Sequence, residues 1–290
     1  MARAVLDIVL PFYGDVGFLK LAVESIRNQS STQWHLYVSD DGYPDPAVKE
    51  WFTSLNDSKI TYSRNSENLG ANRNFQHCLG MATSEFVIIM GADDVMDPNY
   101  VEAVLATVAT GNVDIVHPQV AVINELGEHV TPVTDKIKKR IALPPGTYVG
   151  EEVATSLMKG NWTYFPAITW RTKLVKNIGF REGLNVSQDL GMLLDVVISG
   201  GKLKVLEQTL FSYRRHTNSD SSIRAIAGDR FTEEKAFFVR VRKEFESLNW
   251  KQASRAAQIH FSSRLHAAKL IPSAIGKRKN PWPLIRHLFA

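Results

Sequence analysis

Along the first third of the chain, short runs rich in β-branched residues alternate with stretches whose apolar positions recur every three or four residues. Residues 6–11 read as a strand, and Asp15 is placed to cap a helix with the stripe Phe18, Leu19, Ala22, Val23 and Ile26. Strands follow at 36–39 and 60–63, and Phe75, Cys78, Leu79 and Ala82 mark another helical stripe. The unbroken apolar run 86–90 is what a strand buried on both faces carries. Asp97 then caps a helix over 99–109, with Pro98 at its first position. Strands and helices in alternation predict βαβ units around a mostly parallel sheet.

After residue 110 the pattern changes. A strand over 114–122 runs into the turn Glu125-Leu-Gly-Glu128, which predicts a hairpin. The basic run from Lys136 to Arg140 and the breaker Pro144-Pro145-Gly146 predict a loop over 136–146, placed to close over a substrate. Helices at 151–159 and 188–199 and strands at 167–170, 204–206 and 209–213 follow, then a helical stretch of mixed charge from 228 to about 270. Three parts are expected: 1–110 holding a nucleotide, 111–225 holding the acceptor as the other half of the same domain, and 226–290 as a helical extension with a basic tail.

With 290 residues, 44% hydrophobic and 22% charged, the chain is long enough to bury a real core. Its longest apolar runs are far shorter than the roughly 20 residues that cross a bilayer. The opening segment is not a leader either, because Asp7 interrupts it and Pro11 ends it early. A single cysteine, Cys78, excludes a disulfide framework and fits a reducing compartment. The net charge of +4 suits an anionic partner, but no basic stripe is interleaved with aromatics, so nucleic acid is not expected.

Three acidic groups fall where strands end: Asp40-Asp41-Gly42, Asp93-Asp94, and Asp189 at the start of a helix. In an open parallel sheet, ligands bind beyond the carboxyl ends of the strands, so these groups are expected to converge on one crevice. Adjacent aspartates on the tight turn Gly91-Ala92-Asp93-Asp94 repel unless a cation compensates, and all-oxygen ligation suits Mg²⁺ or Mn²⁺ bridging to phosphates.

In this order the motifs resemble the inverting glycosyltransferases of family two, over about residues 5–216. The resemblance implies the GT-A fold, an α/β Rossmann-like sheet flanked by helices, and transfer of a sugar from a nucleoside-diphosphate sugar to a hydroxyl. Asp7-Ile-Val-Leu-Pro-Phe-Tyr13 is similar to the family's opening strand, which implies that Pro11, Phe12 and Tyr13 frame the base. Ser39-Asp40-Asp41-Gly42 implies Asp40 at the base and Asp41 near the ribose, and Asn68-Leu-Gly-Ala-Asn-Arg73 places Arg73 near the nucleotide. Gly91-Ala92-Asp93-Asp94 resembles the metal-binding DxD segment with glycine where the first aspartate usually stands. That leaves Asp93 as the expected ligand of Mn²⁺ or Mg²⁺ and of the nucleotide, Asp94 beside it, and His216 completing the set.

Ser187-Gln188-Asp189 resembles the family's glutamate-aspartate motif with Gln188 in place of the glutamate, which makes Asp189 the implied catalytic base. An attacking hydroxyl must lose its proton, and a carboxylate in reach can take it. Arg214 and Arg215 are candidates for the diphosphate, while Trp162, Tyr164, Phe165 and Trp170 could floor a sugar site. The expected partners are a UDP-sugar first, dTDP- or GDP-sugars next, and a glycan or lipid-linked glycan acceptor. A sugar-phosphate nucleotidyltransferase would need a glycine-rich basic loop after the first strand, and none is present. A non-catalytic nucleotide-sugar-binding subunit stays open because of Gly91 and Gln188. The chain is expected to be cytoplasmic, with its basic, apolar segment 277–290 meeting the inner face of a membrane.

Overall fold

The computed structural model describes residues 6–184, 186–216, 229–276 and 282–288. Strand β1 (Leu6–Phe12) alternates, with Leu6, Ile8, Leu10 and Phe12 in one core and Val9 in the other. It lies between β2 (Trp34–Asp40) and β4 (Phe86–Ile89), and β2 carries β3 (Ile60–Arg64) on its far side, all in parallel. Helix α1 (Val16–Arg27) begins where Asp15 accepts the Phe18 N–H at 2.9 Å, and it buries Leu19, Ala22, Val23 and Ile26. The predicted stripe is therefore present except for Phe18, which turns toward the edge described below.

Beyond β4 the sheet becomes mixed. The short strand β9 (Thr169–Arg171) is antiparallel to both β4 and β6 (Ile115–Ile123), so β6 regains the direction of β1. Strand β10 (Leu203–Arg214) runs parallel to β6 and takes β5 (Val95–Met96) and β8 (Gly146–Tyr148) as antiparallel partners. The expected hairpin is there, with β7 (His129–Val130) returning along β6. The sheet order is β3-β2-β1-β4-β9-β6-β10-β5, and β1 to β4, β6 and β10 share one direction.

Helices α1, α2 (Ala47–Leu55) and α4 (Tyr100–Val108) cover one face. The other is covered by α3 (Ala71–Met81), α6 (Gly150–Lys159), α8 (Gln188–Ile198), α9 (Asp229–Ser247) and α10 (Lys251–Ile259). A small satellite core of Phe231, Ala267 and Leu284 joins α9 to α11 (Phe261–Gly276) and α12 (Trp282–Leu288). The mixed α/β class, with a central sheet, flanking helices and C-terminal helices, is the one expected. No described helix is long and apolar enough to cross a membrane.

Several local expectations need correction. The predicted loop 136–146 is helix α5 (Val133–Ile141) followed by β8, because Asp135 in its first turn is anchored by Arg215 and Tyr164. Strands 204–206 and 209–213 are one strand, β10, whose register shifts twice between Val205 and Phe211. Helix α4 is capped at Asn99, while Asp97 spends its carboxylate on the Asn99 N–H at 3.0 Å. Helices α2 and α7 (Thr172–Ile178) were not foreseen; each buries only two residues, too few for a periodic signal.

Buried Asp7 on β1 accepts hydrogen bonds from the backbone N–H groups of Thr83 and Ser84 and from the Ser84 hydroxyl, the last two at 2.7 Å. It ties the turn before β4 to the sheet. Asp7→Ala removes the acceptor of all three and is expected to lower the unfolding free energy by about 2 kcal/mol in a urea titration. A midpoint unchanged from wild type would show that the turn holds without it.

Candidate active site

Because β1, β2, β4 and β10 share a direction, the segments that leave them emerge on one edge. Asp40 closes β2 and is fully buried, its carboxylate accepting the Tyr43 N–H at 2.7 Å and the Tyr62 hydroxyl. Burial, and then this bond to a carboxylate, push the Tyr62 phenol pKa well up. Asp41 accepts Asn65 Nδ2 at 2.8 Å and the Leu69 and Gly70 N–H groups at 2.9 Å each, so it clamps the segment 65–70 to the end of β2. Gly42 has φ 75°, and a Cβ there would lie 3.2 Å from the Glu67 carbonyl carbon, which only glycine avoids. Buried Asn74 completes the clamp, accepting the Ser39 hydroxyl at 2.6 Å and donating to the Ser39 carbonyl at 3.1 Å.

This arrangement leaves Arg73 exposed in the first turn of α3. At the end of β1, Pro11 is half-buried and Phe12 buried, and Tyr13 presents its ring at 58% exposure. Tyr43 stands edge-on to Tyr13 with ring centroids 5.8 Å apart and 5.1 Å from Phe12. The aromatic surface of this corner thus comes from Tyr13 and Tyr43.

The turn after β4 brings Asp93 and Asp94 to the end of β10. Asp94 is buried, with one oxygen accepting the Arg214 N–H at 2.8 Å and the other, Oδ2, unpartnered. Burial first, then the charge of Asp93, raise the Asp94 pKa well above the carboxylate range. A Cβ on Gly91 would fall 2.6 Å from Asp94 Oδ2 and 2.8 Å from Asp93 Oδ1, so the glycine makes room for two carboxylates over its own backbone. Asp93 Oδ2 faces His216 Nε2 at 2.9 Å; a carboxylate only accepts, so Nε2 carries the hydrogen in this arrangement. Among the described residues no three His, Cys, Asp or Glu side chains form a ready-made metal cage. An unpaired buried carboxylate oxygen beside a second carboxylate is nevertheless a donor set that fits a hard divalent cation.

Arg214 is buried and spent. Its guanidinium donates to the carbonyls of Asp93 at 2.7 Å and Asn124 at 3.0 Å and sits 4.6 Å over the Phe18 ring. It locks β10, the aspartate turn and the β6–β7 hairpin together rather than facing an open cleft. Arg215 makes a bidentate pair with Asp135 at 2.8 and 2.9 Å, and Asp135 also accepts the Tyr164 hydroxyl at 2.6 Å. Burial alone would raise Asp135, but these bonds and the charges of Arg215 and Lys138 outweigh it and hold its pKa low.

Tyr213 links the remaining group to this edge. Burial and then the charge of Asp94 raise its phenol pKa, and Asp93 and Asp189 add to the rise, so all three carboxylates surround one side chain. Asp189 and Gln188 are half-buried in the first turn of α8, where Asp189 Oδ1 accepts the Leu190 N–H at 2.7 Å. The aromatic floor needs correction. Trp162 is 2% exposed, bonded to the Ser156 hydroxyl at 2.9 Å, and Trp170 is fully buried, so both are core residues. Tyr164 and Tyr213, 5.3 Å apart, are the aromatics that reach the site. Tyr213 and Asp135 were not foreseen; the only sequence signal was the place of Tyr213 directly before Arg214, Arg215 and His216.

Known proteins share this arrangement. The uncharacterised glycosyltransferase MJ1057 of Methanocaldococcus jannaschii is 23% identical over 218 residues, covering 74% of this chain and 72% of its own length. Staphylococcus aureus TarS 1–349, solved in complex with UDP-GlcNAc, superposes with a TM-score of 0.67 at 17% identity, covering 88% of this chain and 72% of that one. The mannosyltransferase PcManGT from Pyrobaculum calidifontis, solved with GDP-Man and Mn²⁺, does so with a TM-score of 0.62 at 14% identity, covering 99% and 85%. Residues 7–168, more than half of the chain, match the model of Glycosyl transferase family 2. A carboxylate-lined edge on such a sheet, and that match, place the protein: the chain belongs to glycosyl transferase family 2 and is a glycosyltransferase.

Proposed function

We propose that this glycosyltransferase is of the GT-A type and moves a sugar from a nucleoside-diphosphate sugar to the hydroxyl of a glycan or lipid-linked glycan, with inversion at the anomeric carbon. The gathering of Asp93, Asp94 and Asp189 around Tyr213 carries this reading, because it sets a proton acceptor beside an anionic pair that needs a counter-charge. Residues 1–110 hold the donor: Tyr13 and Tyr43 offer ring faces to a base, while Asp40 and Asp41 shape the loop that receives it. Arg73, exposed on α3, is free to approach the nucleotide. Residues 111–225 supply the acceptor side through Tyr164, Arg215 and the first turn of α8.

Asp93, Asp94 and His216 would hold a divalent cation, Mn²⁺ or Mg²⁺, which when bound supplies positive charge to the departing diphosphate. His216 would then move its ring hydrogen to Nδ1, freeing Nε2. Asp189 takes the acceptor's proton as the new bond forms, and a single displacement of this kind inverts the configuration. The UDP-GlcNAc and GDP-Man found with the two solved relatives support a diphosphate-sugar donor and leave the base and sugar to experiment.

The test is transfer and donor hydrolysis with a panel of UDP-, dTDP- and GDP-sugars and Mn²⁺, with the product anomer read by NMR. Turnover of one donor with inverted product is the expected result. Tight nucleotide binding without turnover of any donor would instead identify a non-catalytic binding subunit, and a retained anomer would remove Asp189 from the role of base.

A further inference from the structure

The helices beyond residue 250 leave one apolar face uncovered. In α11, Ser263 and Ala267 are buried, and Leu270 and Ile271 pack on the satellite core. Phe261, Leu265 and Ile275 are 63%, 50% and 60% exposed. At about 100° per residue, positions 261, 265, 268, 272 and 275 lie within about 80° of one another, on the side away from 263, 267 and 270. They read Phe, Leu, Ala, Pro and Ile. Trp282, which opens α12, is 59% exposed as well.

Charge identifies what covers this face. Residues 251–290 contain eight Lys and Arg (positions 251, 255, 264, 269, 277, 278, 279 and 286) and no Asp or Glu. The whole chain has 34 basic and 30 acidic residues, so residues 1–250 hold 26 against 30 and carry −4 while the last 40 carry +8. Exposed Lys269 falls beside the apolar stripe on α11, and Arg286 is exposed on α12. A second copy of the chain would press like charge on like charge; a surface of anionic lipid neutralises it and takes up the apolar side chains at the same time.

We propose that α11 and α12 dock the protein on an anionic lipid surface, with Phe261, Leu265, Ile275 and Trp282 entering the headgroup boundary and the basic side chains meeting lipid phosphates. Tryptophan suits that boundary because its ring is apolar and its N–H polar. The sequence pattern pointed only to the tail from 277 onward; the exposed stripe puts the apolar part of the contact upstream, on α11. The inference stands apart from the choice of donor or acceptor.

Co-sedimentation of the full chain with phosphatidylcholine vesicles, with and without phosphatidylglycerol, tests it. Wild type is expected to bind the anionic vesicles, less as salt rises, and to leave neutral ones in solution. The pair Phe261→Ser and Leu265→Ser leaves charge and the buried face untouched and is expected to weaken partitioning by about tenfold or more. Circular dichroism of the pair must match wild type, and Lys269→Gln with Arg286→Gln, which spares the stripe, must also weaken binding. The proposal is overturned if wild type prefers neither vesicle, or if the serine pair binds as wild type does. It is equally overturned if sedimentation equilibrium finds a wild-type dimer that the pair makes monomeric, since a second copy then owns the face.

Discussion

Asp189→Asn is expected to lower the rate of sugar transfer by about three orders of magnitude while leaving nucleotide affinity within a few-fold of wild type. The amide keeps an oxygen that can accept the Leu190 N–H, now at 2.7 Å from Asp189, so the first turn of α8 is not disturbed. What it loses is basicity. A hydroxyl attacking an anomeric carbon becomes strongly acidic only as the bond forms, so the base acts in the transition state and its removal lowers kcat rather than donor binding. Calorimetry with UDP and Mn²⁺ alongside single-turnover transfer separates the two quantities. A parallel loss of both would mean that Asp189 shapes the donor pocket, and an unchanged rate would hand the role of base to another group.

The parts of the fold that were legible in the sequence are those where burial imposes a period. The α1 stripe and the alternation of β1 each report a side chain's distance from the core, and the structure places them as read. Helix α5 was misread because its anchor is polar: among its residues only Asp135 is buried, and it is held by Arg215 and Tyr164 from far along the chain. No local pattern encodes such a pair. The same reason hid Tyr213, whose significance comes from the carboxylates around it rather than from its neighbours in sequence. Motif order did find Asp93, Asp189 and His216, since an edge shared by parallel strands collects whatever follows each strand. It could not tell a side chain that faces the edge from one that braces it. Arg214 and Trp162 brace: one is spent on carbonyls, and the other lies inside the core.

Asp94→Asn is expected to stabilise the metal-free protein at neutral pH and to abolish most of the stabilisation that Mn²⁺ gives. In the wild type, burial and the charge of Asp93 raise the Asp94 pKa well above its value in the unfolded chain. A raised carboxyl contributes stability that is whole below the unfolded value, near pH 4, and is lost as pH climbs through the native one, because the unfolded chain gives up the proton first. The amide never ionises, can keep the Arg214 N–H bond through its oxygen, and can donate toward Asp93 across Gly91. Melting temperatures without metal should therefore diverge in favour of the variant as pH rises above about 4. A bound cation reverses the order, since it replaces the proton on Asp94 and neutralises the repulsion that raised the pKa. Wild type should gain stability with Mn²⁺, more so at higher pH, and release a proton on binding that calorimetry in buffers of different ionisation heat can count. Asp93→Ala should lose the Mn²⁺ response too, and weaken UDP binding in the presence of Mn²⁺ by about tenfold or more. Parallel melting curves for wild type and Asp94→Asn at every pH, with equal gains from Mn²⁺, would show that no cation meets this pair.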